Sequence, residues 1–282
     1  GTMTNMGFEL AVRGDIIKTK DFTFNSGLNF SYQKNKLKKL SGTYKGQPMT
    51  TSEHISVATV GAAGLVHNNG VTYLIEGQPV GVFYLPHCTG IDENGQYIIE
   101  DLDDNGTIDT GDSGDRKVCG QAIPKYFLGW DMSFKYKNWD LSIFLRSWLG
   151  YDVFSQVNMY YGLANDSQLN VLKSAYTRNR NIKDEKILCD YWIDDASFLK
   201  IDAINLGYTL DLKRWTRYIQ SAKIYLTIRD VAVFTDYNGI NPEVDINGLN
   251  PGFEYVNNTA SMYPQTTRFT LGVQLKIGRA HV

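Results

Sequence analysis

The residues best placed to do chemistry form the acidic run Asp101-Leu102-Asp103-Asp104-Asn105-Gly106-Thr107-Ile108-Asp109-Thr110-Gly111-Asp112. Its spacing follows the twelve-residue calcium loop. Side-chain oxygens stand at the first, third and fifth places (Asp101, Asp103, Asn105), and Gly106 makes the sharp turn. The Thr107 carbonyl comes seventh, with carboxylates at the ninth and twelfth (Asp109, Asp112). A hard cation needs several oxygens around one point, and this spacing curls them inward, so calcium is the cofactor expected here. Two features depart from the pattern: no flanking helices are evident, and Asp112 replaces the longer bidentate Glu. The alternative is a solvated acidic loop built on Asx-turns.

Other reactive types are scattered. His54, His67 and His87 occur singly in a long polar segment, without the spacing of a zinc protease, and no nucleophile elbow or phosphate loop is present. The neighbours Asp194-Asp195 read as a solvated loop edge, because a catalytic acid pair needs a cleft that separates its two pKa values. No enzyme is expected. Tyr84, Tyr160, Tyr161 and Tyr237 sit in polar segments and could stack on a sugar ligand, or pack on a partner or on the loops themselves. Cys88, Cys119 and Cys189 form no close pair and have no His partners for zinc. Cys88 and Cys119 share one polar segment and could pair in an oxidising compartment, three unpaired thiols being the alternative.

The elements that position these residues are strands. In 263–277, Phe269, Leu271, Val273, Leu275 and Ile277 fall on one face, and Arg268, Thr270, Gly272, Gln274 and Lys276 on the other. The same alternation runs through 7–17, 22–33, 128–136, 139–146, 197–210 and 222–229, with a bulge expected near Asp202-Ala203, where the apolar parity switches. Such strands suit a soluble sandwich. They equally suit a barrel wall in lipid, which escapes hydropathy tests because its apolar residues alternate.

Between them the chain turns polar. Val71–Ile75 and Tyr97–Ile99 are expected to make a small hairpin within 34–125, and 167–176 a short helix, with Leu169, Leu172 and Tyr176 at helical spacing. Short connections (18–21, 137–138, 211–220) alternate strictly with long ones (34–125, 152–195, 237–264). Alternate connections leave opposite ends of an up-and-down sheet, so one end is trimmed and the other elaborate. Outer-membrane barrels have this asymmetry, with long external loops and short periplasmic turns. Trp130, Tyr136, Trp139, Trp148 and Tyr151 cluster towards strand ends, as interface rings do. The expected fold is therefore all-β: an antiparallel up-and-down transmembrane β-barrel, present in part as about seven strands.

Composition agrees. A net charge of −2 and a pI near 6.1 leave no basic footprint, so no nucleic acid is expected as a partner. Aromatics make up 13% of the 282 residues, with 18 Tyr. The opening Gly1-Thr2-Met3-Thr4-Asn5 has neither an initiator Met nor a signal peptide, so a longer polypeptide is expected to precede it.

In order along the chain stand Asn5-x-Gly7-x-Glu9; Asp21-Phe22-Thr23-Phe24-x5-Phe30-Ser31-Tyr32-x2-Asn35-Lys36; and Glu76-Gly77-Gln78-Pro79-Val80-Gly81-x-Phe83-Tyr84. The acidic run and Gly120-x3-Pro124-Lys125-Tyr126-x2-Gly129 follow, then Trp139-Asp140-Leu141-Ser142 and Ser197-Phe198-Leu199-Lys200-x6-Leu206-Gly207-Tyr208-Thr209-Leu210. Asn241-Pro242-Glu243 and Tyr263-Pro264-x3-Arg268 complete the series.

In these motifs the chain resembles the C-terminal part of SusC/RagA-type TonB-linked outer-membrane proteins, the TonB-dependent receptors of Bacteroidetes-like bacteria. The resemblance implies a plugged barrel of ~22 strands that imports glycan or peptide fragments. It also implies a SusD-like lipoprotein as partner, outer-membrane lipid around the wall, and TonB engaged through an N-terminal part upstream. The family ends its last strand on an aromatic, whereas this chain continues Ile277-Gly278-Arg279-Ala280-His281-Val282. That hexapeptide is what a common short-read sequencing adapter encodes in frame. Residues 1–277 are thus expected to be barrel, with 278–282 a non-native tail. The rival reading from another class is a soluble, secreted β-sandwich carbohydrate-binding module with a calcium loop.

Overall fold

The computed structural model describes residues 1–49, 54–60, 70–109, 114–165, 170–214, 218–248, 250–256 and 264–277. The chain opens with a long hairpin, β1 (Thr2–Lys18) and β2 (Phe22–Lys39). The first excursion carries β3 (Gly42–Tyr44), β4 (Gln47–Met49), β5 (His54–Thr59), β6 (Gly70–Ile75), β7 (Val82–Pro86), β8 (Cys88–Ile91), β9 (Tyr97–Ile99) and β10 (Arg116–Gln121). The hairpin β11 (Tyr126–Tyr136) and β12 (Trp139–Leu149) follows, then β13 (Asp152–Ser155), helix α1 (Gln156–Tyr161) and β14 (Ile193–Asp195). The chain continues through β15 (Phe198–Asp211), β16 (Ile219–Thr235), β17 (Phe253–Glu254) and β18 (Arg268–Ile277).

Seven of these strands form one antiparallel sheet in the order β1-β2-β11-β12-β15-β16-β18. Every neighbour in the sheet is the next long strand in the chain, the up-and-down arrangement expected from the alternating connections. Because side-chain direction reverses at every residue, register decides what each face presents. Here it aligns like with like across all seven strands. Ile17, Phe24, Phe134, Leu141, Leu206, Leu226 and Leu271 lie opposite one another in a single apolar rung. The adjacent rung is Asp15, Asn25, Ser133, Ser142, Asn205, Thr227 and Thr270, polar throughout. A one-residue slip in any strand would break both.

The apolar face points outward and stays uncovered. On β15, flanked by strands on both sides, Leu206 is 39% exposed while Lys200 is 2% exposed, the reverse of a water-soluble protein. Among the described residues no second sheet packs on the apolar face, as the sandwich alternative requires. Near the short-turn end, Phe22, Tyr136, Trp139 and Tyr208 share another rung on this face, with the Trp139 and Tyr208 ring centroids 4.7 Å apart. Amphipathic rings at a bilayer boundary take this position. Trp148 and Tyr151 do not. Tyr151 is buried and Trp148 packs beside it in a cluster with Val153, Phe198, Tyr237 and Val244 beneath the excursions. The expected bulge is present: Asp202 is skipped between Ile201 and Ala203 in the pairing with both β12 and β16.

The three long excursions make one folded cap at a single end of the sheet. Their shared core takes Val71, Phe83 and Leu85 from the first, Phe154, Leu163, Leu188 and Trp192 from the second, and Phe253 from the third. Backbone pairing binds them too, since β13 pairs antiparallel with β14 and parallel with β17. Two expectations are corrected. Residues 71–75 and 97–99 lie in separate sheets, β6 pairing with β5 and β7 and β9 with β8, because the 92–96 turn, closed by the Asp92 N–H donating to the Gln96 carbonyl, folds β9 back on β8. The helix expected over 167–176 is a single 3-10 turn, Lys173–Tyr176, with 167–169 outside the described residues. The α-helix is α1, started by the Ser155 hydroxyl accepting from the Asn158 N–H at 3.1 Å.

On the polar face, two glycines let charges meet across an intervening strand. A Cβ at Gly27 would lie 2.5 Å from Asp131 Oδ1, and its absence lets Arg13 of β1 reach Asp131 of β11 at 3.0 Å over β2. At Gly207 a Cβ would lie 2.4 Å from Lys223 Cε, and through that gap Lys223 of β16 meets Asp140 of β12 at 2.6 Å. In the intact protein, Gly207→Val should cost about 1–3 kcal/mol through overpacking and lower the urea midpoint of the electrophoretic folded-band shift. Adding Lys223→Ala should restore much of the loss. An unchanged midpoint would show that the gap is not needed.

Candidate functional site

The acidic loop lies between β9 and β10. The Asp101 carboxylate accepts from the N–H groups of Asn105 (3.3 Å) and Gly106 (2.8 Å), and Asp103 Oδ1 accepts from Asn105 N–H at 3.2 Å. The Asp103–Asn105 bond closes an Asx-turn, while Asp101 reaches the N–H groups four and five residues on. The Asp101 carboxyl is held below its ordinary value, chiefly by the Gly106 N–H bond. Asp101 and Asp103 bring carboxylate oxygens within 4.8 Å of a third, which belongs to Asp115. Asp115 is buried, and its two oxygens accept from the N–H groups of Leu102 (2.7 Å) and Asp109 (2.8 Å). Asp112 lies outside the described residues. Asn105 and Thr107 bond each other through Asn105 Oδ1, and Asp109 stands outside the carboxylate triad. Counting a standard twelve-residue loop stops at Asp112 and misses Asp115. The signal for it was the second Gly-Asp pair, Gly114-Asp115, which continues the loop into β10.

The four tyrosines separate by burial. Tyr84 is buried with its ring 4.8 Å from His54 and 5.3 Å from Tyr73, and Tyr237 is buried in the cluster beneath the cap. Neither offers a ring face to a ligand. Tyr160 and Tyr161, at the end of α1, are half-buried and edge-on at 4.9 Å, with the Lys186 ammonium 4.4 Å from the Tyr160 ring. A cavity of about 670 Å³ opens between the first hairpin and the excursions, lined by Met3, Asn5, Asn35, Val80, Ile123 and Ile246 among others. Histidine 87 is committed to Asp190, its Nδ1 2.5 Å from Oδ2. Asp194 pairs with Arg178 at 2.8 Å, while Asp195 accepts from the Ser197 N–H. His67 lies outside the described residues.

A dense charge cluster among the described residues joins three of the sequence motifs, through Lys200, Glu243 and Arg268. At the cap end of the sheet, Lys200 Nζ meets Glu243 at 2.8 Å, Asp230 at 2.9 Å, Asp202 at 3.3 Å and Gln265 Oε1 at 2.7 Å. Arg146 pairs with Asp202 at 2.7 Å and Glu243 at 2.5 Å, and Arg268 pairs with Asp230 at 2.9 Å. Three cations thus face three carboxylates, and the bulge at Asp202 aims its side chain into the group. Glu243 and Gln265 come from the third excursion, so the cluster fastens the cap to the wall. Burial alone would raise the Glu243 carboxyl, but hydrogen bonds from Lys200 and Gln265 and the charge of Arg146 hold it below its ordinary 4.5. The sequence placed Lys200 only within a strand motif, and only pairing partners distant in the chain reveal its role.

No family model matches the chain. Among curated proteins, TonB-dependent receptor SusC of Bacteroides thetaiotaomicron is 28% identical over 288 residues, spanning 98% of this chain and 26% of its own length. TonB-dependent receptor P3 of Formosa agariphila is 24% identical over 307 residues, spanning 98% of this chain and 29% of its own length. Among solved structures, the RagAB peptide transporter superposes with a TM-score of 0.71 at 20% identity, over 97% of this chain and 29% of that one. The chain therefore spans under a third of the length of the relatives it matches. The SusC/RagA-type likeness expected from the motifs extends across nearly all of the chain, and the fold is shared with part of the RagAB peptide transporter.

A depressed carboxyl stabilises the fold above its unfolded pKa, and that contribution is lost as pH falls through the folded value. Glu243 should therefore contribute fully above pH 4.5, its ordinary value, and progressively less below it. Acid titration of cap unfolding, followed by Trp fluorescence, should show an acid limb that Glu243→Gln flattens. Lys200→Met leaves three half-buried carboxylates to share two arginines, Arg146 and Arg268, and should cost about 3 kcal/mol at neutral pH. A wild-type melting temperature in that variant would contradict the fastening role.

Proposed function

We propose that this chain supplies part of the barrel wall and the external cap of a TonB-dependent outer-membrane importer of the SusC/RagA type. The observation that carries the reading is the seven-strand sheet with matched apolar rungs on its outward face, joined to the likeness to TonB-dependent receptors along the chain. No helix among the described residues is long and apolar enough to cross a membrane, and strands of this kind need none. In this reading the segments 34–125, 152–195 and 237–264 are external. The short turns face the periplasm, and outer-membrane lipid covers the apolar face. The tail at 278–282, outside the described residues, is non-native.

The cargo is a glycan or peptide fragment, delivered under a SusD-like lipoprotein and driven by TonB acting on the part of the receptor upstream of this chain. The chain works as wall and selectivity surface, with no enzymatic step. Cargo passes the polar face, and the 670 Å³ cavity and the half-buried Tyr160–Tyr161 pair are the surfaces offered to it. The acidic loop takes calcium through Asp101, Asp103, Asn105, Thr107, Asp109 and Asp112. The carboxylate convergence of Asp101, Asp103 and Asp115 supports such a site and adds Asp115 to it.

Two measurements test this. The intact protein should fractionate with detergent-extracted outer membrane, and deletion of its gene should abolish growth on one oligosaccharide or peptide source. Recovery as a soluble secreted monomer would refute the barrel. Calcium titrated into chelator-treated receptor should give saturable heat that Asp101→Asn removes, and no heat in the wild type would refute the metal site.

A further inference from the structure

Two of the three thiols meet across the cap. Cys88 opens β8 in the first excursion, and Cys189 ends the segment before the 3-10 turn Asp190–Trp192 in the second. Asp190 holds the two backbones together. Its Oδ1 accepts the Cys88 N–H at 2.8 Å while its Oδ2 lies 2.5 Å from His87 Nδ1. The residue before Asp190 is thereby set against Cys88, and the Cys189 thiol is the neighbour that acts most strongly on the Cys88 thiol. Cys189 is buried and Cys88 half-buried, both at the edge of the cap's hydrophobic core. Cys119 stands apart on β10, its Sγ 3.5 Å from the Phe83 carbonyl oxygen. All three cysteines are free thiols, the alternative named from the sequence, and the Cys88–Cys119 bridge is not formed. These thiols do not make a metal centre, since the carboxylate, imidazole and thiol groups that converge among the described residues are Asp101, Asp103 and Asp115.

We infer that Cys88 and Cys189 are an oxidation site, closing to a disulfide that staples the first excursion to the second. A disulfide of about 2.0 Å needs its Cβ atoms roughly 4 Å apart, and the Asp190 carboxylate, bonded to the Cys88 N–H at 2.8 Å, holds the adjoining Cys189 beside Cys88 at the same edge of the core. The chemistry divides between the two. The Cys88 thiol is pushed down to about 7, mainly by the Cys189 hydrogen bond, whereas burial pushes the Cys189 thiol up. Cys88 is the attacking thiolate, and the oxidant is a disulfide-bearing thiol oxidant, protein or small molecule. Cys88 Sγ displaces one oxidant sulfur, which leaves as thiolate and takes a proton. Cys189 Sγ then loses its proton and attacks Cys88 Sγ, and the second oxidant sulfur leaves as thiol. Two cysteine thiols are oxidised and one oxidant disulfide is reduced to two thiols.

Exposure to such an oxidant in the cell rests on the outer-membrane reading, because export passes an oxidising compartment. A link closing so long a stretch of chain restricts the unfolded cap more than a local one would.

The test is peptide mapping of the intact receptor, alkylated under denaturing, non-reducing conditions straight from outer membranes. Cys119 should be alkylated, and the Cys88 and Cys189 peptides should be joined until reductant is added. Cys119→Ser should keep the link, and Cys189→Ser should leave Cys88 alkylated. Alkylation of all three cysteines, or a Cys88–Cys119 link, in protein that does fractionate with outer membrane overturns this inference and leaves the barrel standing. A second arm is independent of location: purified, reduced receptor is treated with oxidised glutathione. Formation of the Cys88–Cys189 link is expected there, and a persistent glutathione adduct on Cys88 with Cys189 free would overturn it.

Discussion

The structure depends on register. Seven strands pair so that apolar rungs such as that of Phe24 and Leu206 alternate with polar rungs such as that of Asn25 and Asn205, and each pairing fixes the next. Backbone ladders satisfy the amides wherever strands adjoin, which a medium without water demands. The outward residues then decide the medium. At about 25 cal/mol per Å², a face built from rungs such as Phe24, Phe134, Leu141 and Leu206 is costly in water and favourable in hydrocarbon. Charged groups such as Lys200, Asp140 and Lys223 are confined to the other side, where glycine gaps let them neutralise one another.

The cap follows from the same constraint. Long excursions leave only one end of the wall, so they crowd together, and crowding lets three chain segments share a core that none could build alone. Their attachment is electrostatic as well as apolar. Glu243 descends to Lys200 and Arg146, and Tyr151 donates to the Pro242 carbonyl at 2.8 Å. A cap fixed in this way holds the acidic loop, the Tyr160–Tyr161 pair and the cavity in one geometry.

The wall was legible in the sequence because its information is local: a period of two within each strand, and turn chemistry between strands. Even the bulge at Asp202 appeared as a switch in apolar parity between Ile201 and Ile204. The cap was not legible, because its contacts join residues about a hundred positions apart, such as Ser155 with Glu254 and Cys88 with Asp190. Trp148 and Tyr151 looked like interface rings by position, yet they fill the junction under the cap. Tyr84 and Tyr237 looked available until burial was known. The calcium spacing located Asp101 and Asp103 correctly as neighbours but ended short of Asp115, since a motif counts residues and the fold brings in the carboxylate beyond the count. Helix α1 has only six residues, too few to show a period.

The central claim is that one face of this sheet contacts lipid and the other does not. Nitroxide labels at Leu206 and at its neighbour Asn205, in the intact receptor reconstituted in bilayers, test it directly, because the two lie in adjacent rungs of opposite character. The account predicts that collisions with oxygen dominate at Leu206 and collisions with a water-soluble nickel chelate dominate at Asn205. Equal access to the nickel chelate at both positions would contradict it.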